Sequence, residues 1–288
     1  KNKLYNLMAK SALLKSSIAK KYWMALTGLF LCLFLTGHLL GNLQLLVPDN
    51  ASAFNQYALF MTTNPAVKLL SYLTYISIIF HAIDGIMLTI QNKKARPIAY
   101  AKNNPSANSS LASRNMAILG TVILIFIVTH MITFWAKMHF DKNMPMQTIS
   151  VTDEASGMKQ DFYITTSSGQ NKFLPTAQVD GENLLLEGNK FYILKPIKIE
   201  FAEGYKDLYK ITLEFFRDAK YGLIYTLLYV LAMIALGFHL WHGFASAFQS
   251  LGLNNPKFNN GIKLFGKAFS VIVPLLFAII PLYIHFTK

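Results

Sequence analysis

Four histidines stand inside strongly apolar stretches of the chain: His38, His81, His130 and His239. An ionisable side chain in an apolar run of membrane length is costly to place and marks a functional site by default. Imidazole brings two chemistries to such a place, proton transfer and metal ligation. Two imidazoles at one depth on different helices form the axial ligand set of a six-coordinate haem, and four would serve two haems. A lone histidine in such a run serves as readily as a hydrogen-bonded packing residue. Four in matched pairs favour ligation.

The elements that must position them are five apolar runs, at about 23–46, 66–91, 115–138, 221–249 and 266–286. Each is long enough to cross a hydrocarbon core of about 30 Å as a helix. The composition agrees: 53% of residues are hydrophobic and 14% charged, against roughly a quarter charged in a soluble domain. The expected fold is an all-α integral membrane protein with five transmembrane helices, four of them forming a dihaem bundle, plus a small β-rich outer insertion. The expected organisation is an amphipathic surface segment at 1–22, transmembrane helices 1–3 within 23–138, the insertion at 139–220, and helices 4 and 5 within 221–288.

The net charge of +13 suits nucleic acid only in total. Its distribution argues against that partner: segments 1–22, 92–114 and 250–265 carry 13 Lys/Arg and no acid, whereas 12 of the 14 acids lie between Asp141 and Asp218. Alternating topology puts the three basic segments on one side, which the positive-inside rule makes cytoplasmic. Segment 137–220 is then outside, the N-terminus inside and the C-terminus outside, as expected in a bacterial inner membrane. Cys32 is the single cysteine, so no disulfide forms within the chain, and without a C-x-x-C-H motif no c-type haem attaches. The first span is long and lacks a small-residue cleavage site, so it reads as an anchor rather than a signal peptide.

Helical rise sorts the histidines by depth. In the two outward-running spans, His38 lies eight residues before Leu46 and His130 eight before Met138. In the two inward-running spans, His81 lies ten residues before Gln91 and His239 ten before Gln249. The first pair belongs to the outer half, the second to the inner half. A macrocycle needs close backbone approach, so glycines are expected beside the ligands: Gly85 and Gly243 four residues after His81 and His239, and Gly37 and Gly41 around His38. His130 has Thr129 and Thr133 instead.

The other polar residues carry weaker signals. His242 is the rival ligand to His239, or a neighbour of quinone or of a haem propionate. His139 and His285 read as interfacial. Asp84 is the only acid in an apolar span; it would handle quinone protons or, somewhat better, form a structural hydrogen bond. Residues 3–20 space Leu4, Leu7, Met8, Leu14 and Ile18 as an amphipathic helix on the inner membrane surface. Residues 53–61 fit a short helix, stopped by Asn64-Pro65. Phe162–Thr166 and Phe191–Leu194 read as strands. Asn42, Gln44, Asn55 and Gln56 are candidate hydrogen-bond partners for an outer quinone.

At this point the sequence resembles the cytochrome b membrane-anchor subunit of succinate dehydrogenase/fumarate reductase (succinate:quinone oxidoreductase), of the type in which one five-span polypeptide holds two haems b. The resemblance covers the five spans and excludes 139–220. It is carried by Lys20-Lys21-Tyr22-Trp23-Met24-Ala25-Leu26-Thr27-Gly28, Gly37-His38-Leu39, Ala53-Phe54-Asn55, Phe60-Met61 before Pro65, and Phe80-His81-Ala82 with Gly85. His130 and Phe238-His239-Leu240-Trp241-His242-Gly243-Phe244-Ala245-Ser246-Ala247-Phe248 complete it. By position it implies His81 and His239 as iron ligands of a proximal haem near the cytoplasm, and His38 and His130 as ligands of a distal haem. It also favours His239 over His242.

The resemblance implies further that the chain anchors respiratory complex II, an enzyme of the tricarboxylic acid cycle, without itself binding succinate. The implied partners are a flavoprotein subunit, an iron–sulfur subunit, membrane lipid and a quinone, with menaquinone expected. The basic inner surface, including Lys93, Arg96 and Arg114, suits the soluble subunits and haem propionates, although positive-inside topology alone accounts for most of that charge. One departure bears on direction. Fumarate-reducing members with a transmembrane proton path carry glutamates at the outer quinone site and two residues before the fourth-span ligand. Here the second position is Gly237 and residues 50–80 hold no acid, which favours succinate oxidation. The alternatives are a quinol:fumarate reductase anchor and a haem-free or monohaem anchor. A proton-coupled transporter, from another class, would show more intramembrane acids and broken helices than Asp84, Pro274 and Pro281 supply.

Overall fold

The structure is a computed structural model that describes residues 16–95, 104, 107, 109–154, 157–168 and 172–287. Most of the amphipathic segment expected at 3–20, and Arg96, lie outside these residues. The described chain is mostly helical, with a small separate β region. Five helices are long and apolar enough to cross a membrane: Ile18–Leu46, Pro65–Lys94, Met116–Phe140, Gly222–Ser250 and Pro256–Phe286. The last begins ten residues before its apolar run. Residues 256–265, ahead of the apolar stretch, are helical because Asn255 accepts from the Lys257 backbone N–H and starts the helix there.

The helices are α1 (Ser17–Asn42), followed by a 3-10 turn at Leu43–Leu46; α2 (Ala51–Thr63); α3 (Pro65–Lys94); and α4 (Met116–His130). The third span continues past α4 through a π-helical segment at Met131–Ala136 and a last turn at Lys137–Phe140. Then come α5 (Leu208–Arg217), α6 (Gly222–Ser250) and α7 (Pro256–Phe286). Two compact units share the chain. The first holds Lys1–Leu43, Lys68–Ile127 and Thr226–Tyr283; the second holds Gln44–Val67, Val128–Tyr225 and Ile284–Lys288.

The first unit is helical. Its core gathers Ala232, Met233, Leu236 and Leu240 of α6 with Ala278 of α7, and Cys32, Leu35, Ile123 and Phe126 of α1 and α4 pack against them. The α6 residues recur at helical spacing, so they share one face, while Leu231, Ile234, Phe238 and Trp241 are left exposed. Lipid is as apolar as these side chains, so close packing and small residues decide which face turns inward. No residue of α4 is buried.

The second unit contains the two sheets, β1-β2-β3 and β4-β5-β6, both antiparallel. The strands are β1 (Thr148–Thr152), β2 (Lys159–Ile164), β3 (Phe173–Pro175), β4 (Leu184–Glu187), β5 (Lys190–Ile193) and β6 (Ile199–Glu203). β2 and β5 fall on the two runs expected to be strands. Phe191, fully buried, joins Leu174 and Ala202 in their core. The short helix expected at 53–61 is α2. Helix α5 was not anticipated; Asp207 caps it by accepting from the Lys210 backbone N–H at 2.9 Å. Lys206 Nζ donates to the Met138 carbonyl at 2.6 Å, and burial pushes this amine below the ordinary lysine value, partly offset by Asp141.

Candidate functional site

His81 and His239 come together. Their ring centres are 6.1 Å apart and their planes cross at 65°. Both belong to the first unit, on α3 and α6. The ring meeting His81 is thus that of His239, although His242 lies one turn further on.

The surroundings hold each ring differently. His81 Nδ1 lies 3.2 Å from the Met24 carbonyl and 3.3 Å from Thr27 Oγ1. A carbonyl only accepts, so Nδ1 carries the proton and donates, leaving the Nε2 lone pair available to a metal. His239 Nδ1 is buried with no hydrogen-bond partner. Such an orphan costs on the order of 1–3 kcal/mol, which a ring kept only for packing would not retain cheaply. Among the described residues no three His, Cys, Asp or Glu side chains cluster around a metal. The donor set here is two imidazoles.

Two imidazoles ligating one iron would have ring centres about 6 Å apart, from bonds of about 2 Å and about 1 Å between each nitrogen and its ring centre. The observed 6.1 Å matches that spacing, and equally that of an edge-to-face ring pair.

No family model, no curated protein and no solved structure matches the chain.

His38 lies in the first unit and His130 in the second. The His38 ring stacks on Phe34, with centres 5.3 Å apart and planes at 14°, and it meets Phe277 at 5.7 Å. His130 closes α4, contacts Phe134 at 5.4 Å, and is followed at once by the π-helical segment. Such wide turns recur at functional sites because they re-aim the side chains around them. Nothing in the apolar pattern of the third span announced this one.

An added Cβ at Gly85 or Gly243 would meet Met24 or Met116, and at Gly37 nothing within 4 Å. The glycines against the rings are Gly28, whose added Cβ would stand 3.1 Å from His81 Cε1, and Gly120, at 3.8 Å from His239 Cε1. Of the outer quinone candidates, Asn55 has its amide committed: Nδ2 donates to Asp207 at 2.9 Å and Oδ1 accepts from the Tyr209 N–H at 3.0 Å. Gln56 donates to Ser52, and Asn42 Nδ2 donates to the His38 carbonyl at 2.7 Å.

Asp84 makes no hydrogen bond or ion pair among the described residues. His139 stacks on Trp135 and donates from Nδ1 to the Trp135 carbonyl. His285 Nδ1 donates to the Phe216 carbonyl at 2.7 Å, which ties the end of α7 to α5.

Proposed function

We propose that the chain is a dihaem cytochrome b that anchors a succinate:quinone oxidoreductase and passes electrons between its iron–sulfur subunit and a membrane quinone. The observation that carries this is the facing of His81 and His239, with His81 Nδ1 committed to a carbonyl. His81 and His239 would hold the proximal haem through a ring nitrogen each. When bound, haem supplies a one-electron centre whose potential the axial ligands and their hydrogen bonds set. Both imidazoles are half-buried between apolar helices. For the second haem, His38 and His130 are proposed from their matched depths in the sequence.

Lys20, Lys21, Lys93, Lys94 and Arg114 belong to the acid-free segments. They suit haem propionates and the acidic patches of docked soluble subunits. Succinate oxidation is the favoured direction: Gly237 stands where a proton-path glutamate would be expected.

The test is a reduced-minus-oxidised absorption spectrum with a haem count on the purified chain. Two b haems per chain are expected. His81→Ala and His239→Ala should each remove the same haem, and His38→Ala and His130→Ala the other. A chain without a b-type band, or loss of different haems within one pair, would reject the proposal.

A further inference from the structure

We propose that Thr27 and Gly28 are positioning residues for His81, forming with the Met24 carbonyl a cradle on α1 that fixes the tautomer and the seat of this imidazole. The inference rests on the haem reading above and adds to it the residues that aim one ligand.

Three observations converge on one turn of helix. The Met24 carbonyl accepts from His81 Nδ1 at 3.2 Å, across 57 residues of chain. Thr27 Oγ1 donates to the Trp23 carbonyl at 2.7 Å, so its single hydrogen is already used. What it offers His81 Nδ1 at 3.3 Å is a lone pair. The Met24 contact requires hydrogen on Nδ1, and with the Thr27 hydrogen on a carbonyl of its own helix the second contact is met by that same Nδ1 proton. Thr27 is buried, so no water replaces its hydroxyl without rearrangement.

Gly28 supplies the seat. A Cβ there would stand 3.1 Å from His81 Cε1 and 3.5 Å from Nδ1. The ring lies on helix backbone where every other residue type would push it away. A glycine inside a helix is unfavourable relative to alanine, so without this contact Gly28→Ala would be neutral or stabilising. With it, the ring must shift by a few tenths of an ångström, enough to disturb a metal–ligand geometry.

A partner that receives the far N–H of a ligating imidazole orients the ring and raises its basicity, and loss of such a partner weakens metal affinity about 10–100-fold. Thr27→Val keeps the branched shape and removes the lone pair. Thr27→Ser restores it.

The experiment uses the full chain purified with its haem. It reads the rate of haem transfer to apomyoglobin, the low-spin electron paramagnetic resonance signals and the midpoint potential of each haem. Thr27→Val and Gly28→Ala should speed release of one haem about tenfold or more, move the signals of that haem alone, and in Thr27→Val raise its potential. Thr27→Ser should behave as the parent. The affected haem should be the one that His81→Ala removes.

If both variants retain parental release, signals and potentials, the cradle is overturned while the ligand pair stands. If the parent holds no b haem, or His81→Ala keeps both, the haem reading itself fails. Should Gly28→Ala fail to fold, the contrast between Thr27→Val and Thr27→Ser decides.

Discussion

Gly237 stands two residues before His239, and a Cβ there would come within 3.1 Å of the Ser270 carbonyl and 3.9 Å of the Pro274 ring. Pro274 has no N–H to donate back to Ser270, four residues earlier, so that carbonyl is freed from the helical ladder. The freed carbonyl and the missing side chain meet, and the close approach of α6 to α7 depends on both. Gly237→Leu should lower stability by about 1–3 kcal/mol through overpacking, read as a lower melting temperature of the detergent-solubilised chain. An unchanged melting temperature would show that the two helices separate freely here. At this scale the candidate ligands were legible and the residues that hold them were not. His81 and His239 announce themselves because desolvating an imidazole is costly wherever the helix turns. Thr27 and Gly28 look like any residues of an apolar span until the partner helix is in place.

At the scale of elements, α2 and α5 are joined by one amide. Asn55 is 1% exposed, and its two hydrogen bonds hold the cap of α5 and the first turn beyond it, while Phe54 meets Tyr209 edge-on at 6.1 Å. Asn55→Leu would leave the Tyr209 N–H unpaired, at a cost of about 1–3 kcal/mol, and take from Asp207 one of its two hydrogen bonds, the other being from the Lys210 N–H. The expected result is earlier loss of amide protection in α5 than in β5 during hydrogen exchange; equal protection would count against the clasp. Strand periodicity made β2 and β5 legible. Helix α5 was readable in principle, from Asp207 ahead of Leu208, Ile211 and Phe215, but its short amphipathic run was lost between strand-like segments.

For the whole molecule, the charge asymmetry makes a topological prediction. With Cys32 replaced by serine, Lys159→Cys in β2 should react with a membrane-impermeant maleimide added to intact cells. Lys94→Cys, at the end of α3, should react only after lysis. Both side chains are exposed, so a reversed pattern would report reversed orientation rather than burial, and the proposed placement of the two histidine levels would reverse with it.

The sequence by itself determined the five apolar helices, the β-rich insertion and the four histidines within apolar helices. These follow from local physics: the length of an apolar run, the alternation of side chains, and the cost of polarity in hydrocarbon. Only the tertiary structure decided that the His239 ring meets His81, that Nδ1 of His81 is the protonated nitrogen, that Gly28 and Gly120 lie against the rings, and that Asn55 is spent on Asp207 and Tyr209. Each of these depends on which side of a helix faces which neighbour. In a membrane helix that choice leaves little trace in hydrophobicity, because the lipid-facing and protein-facing sides are built from the same apolar residues.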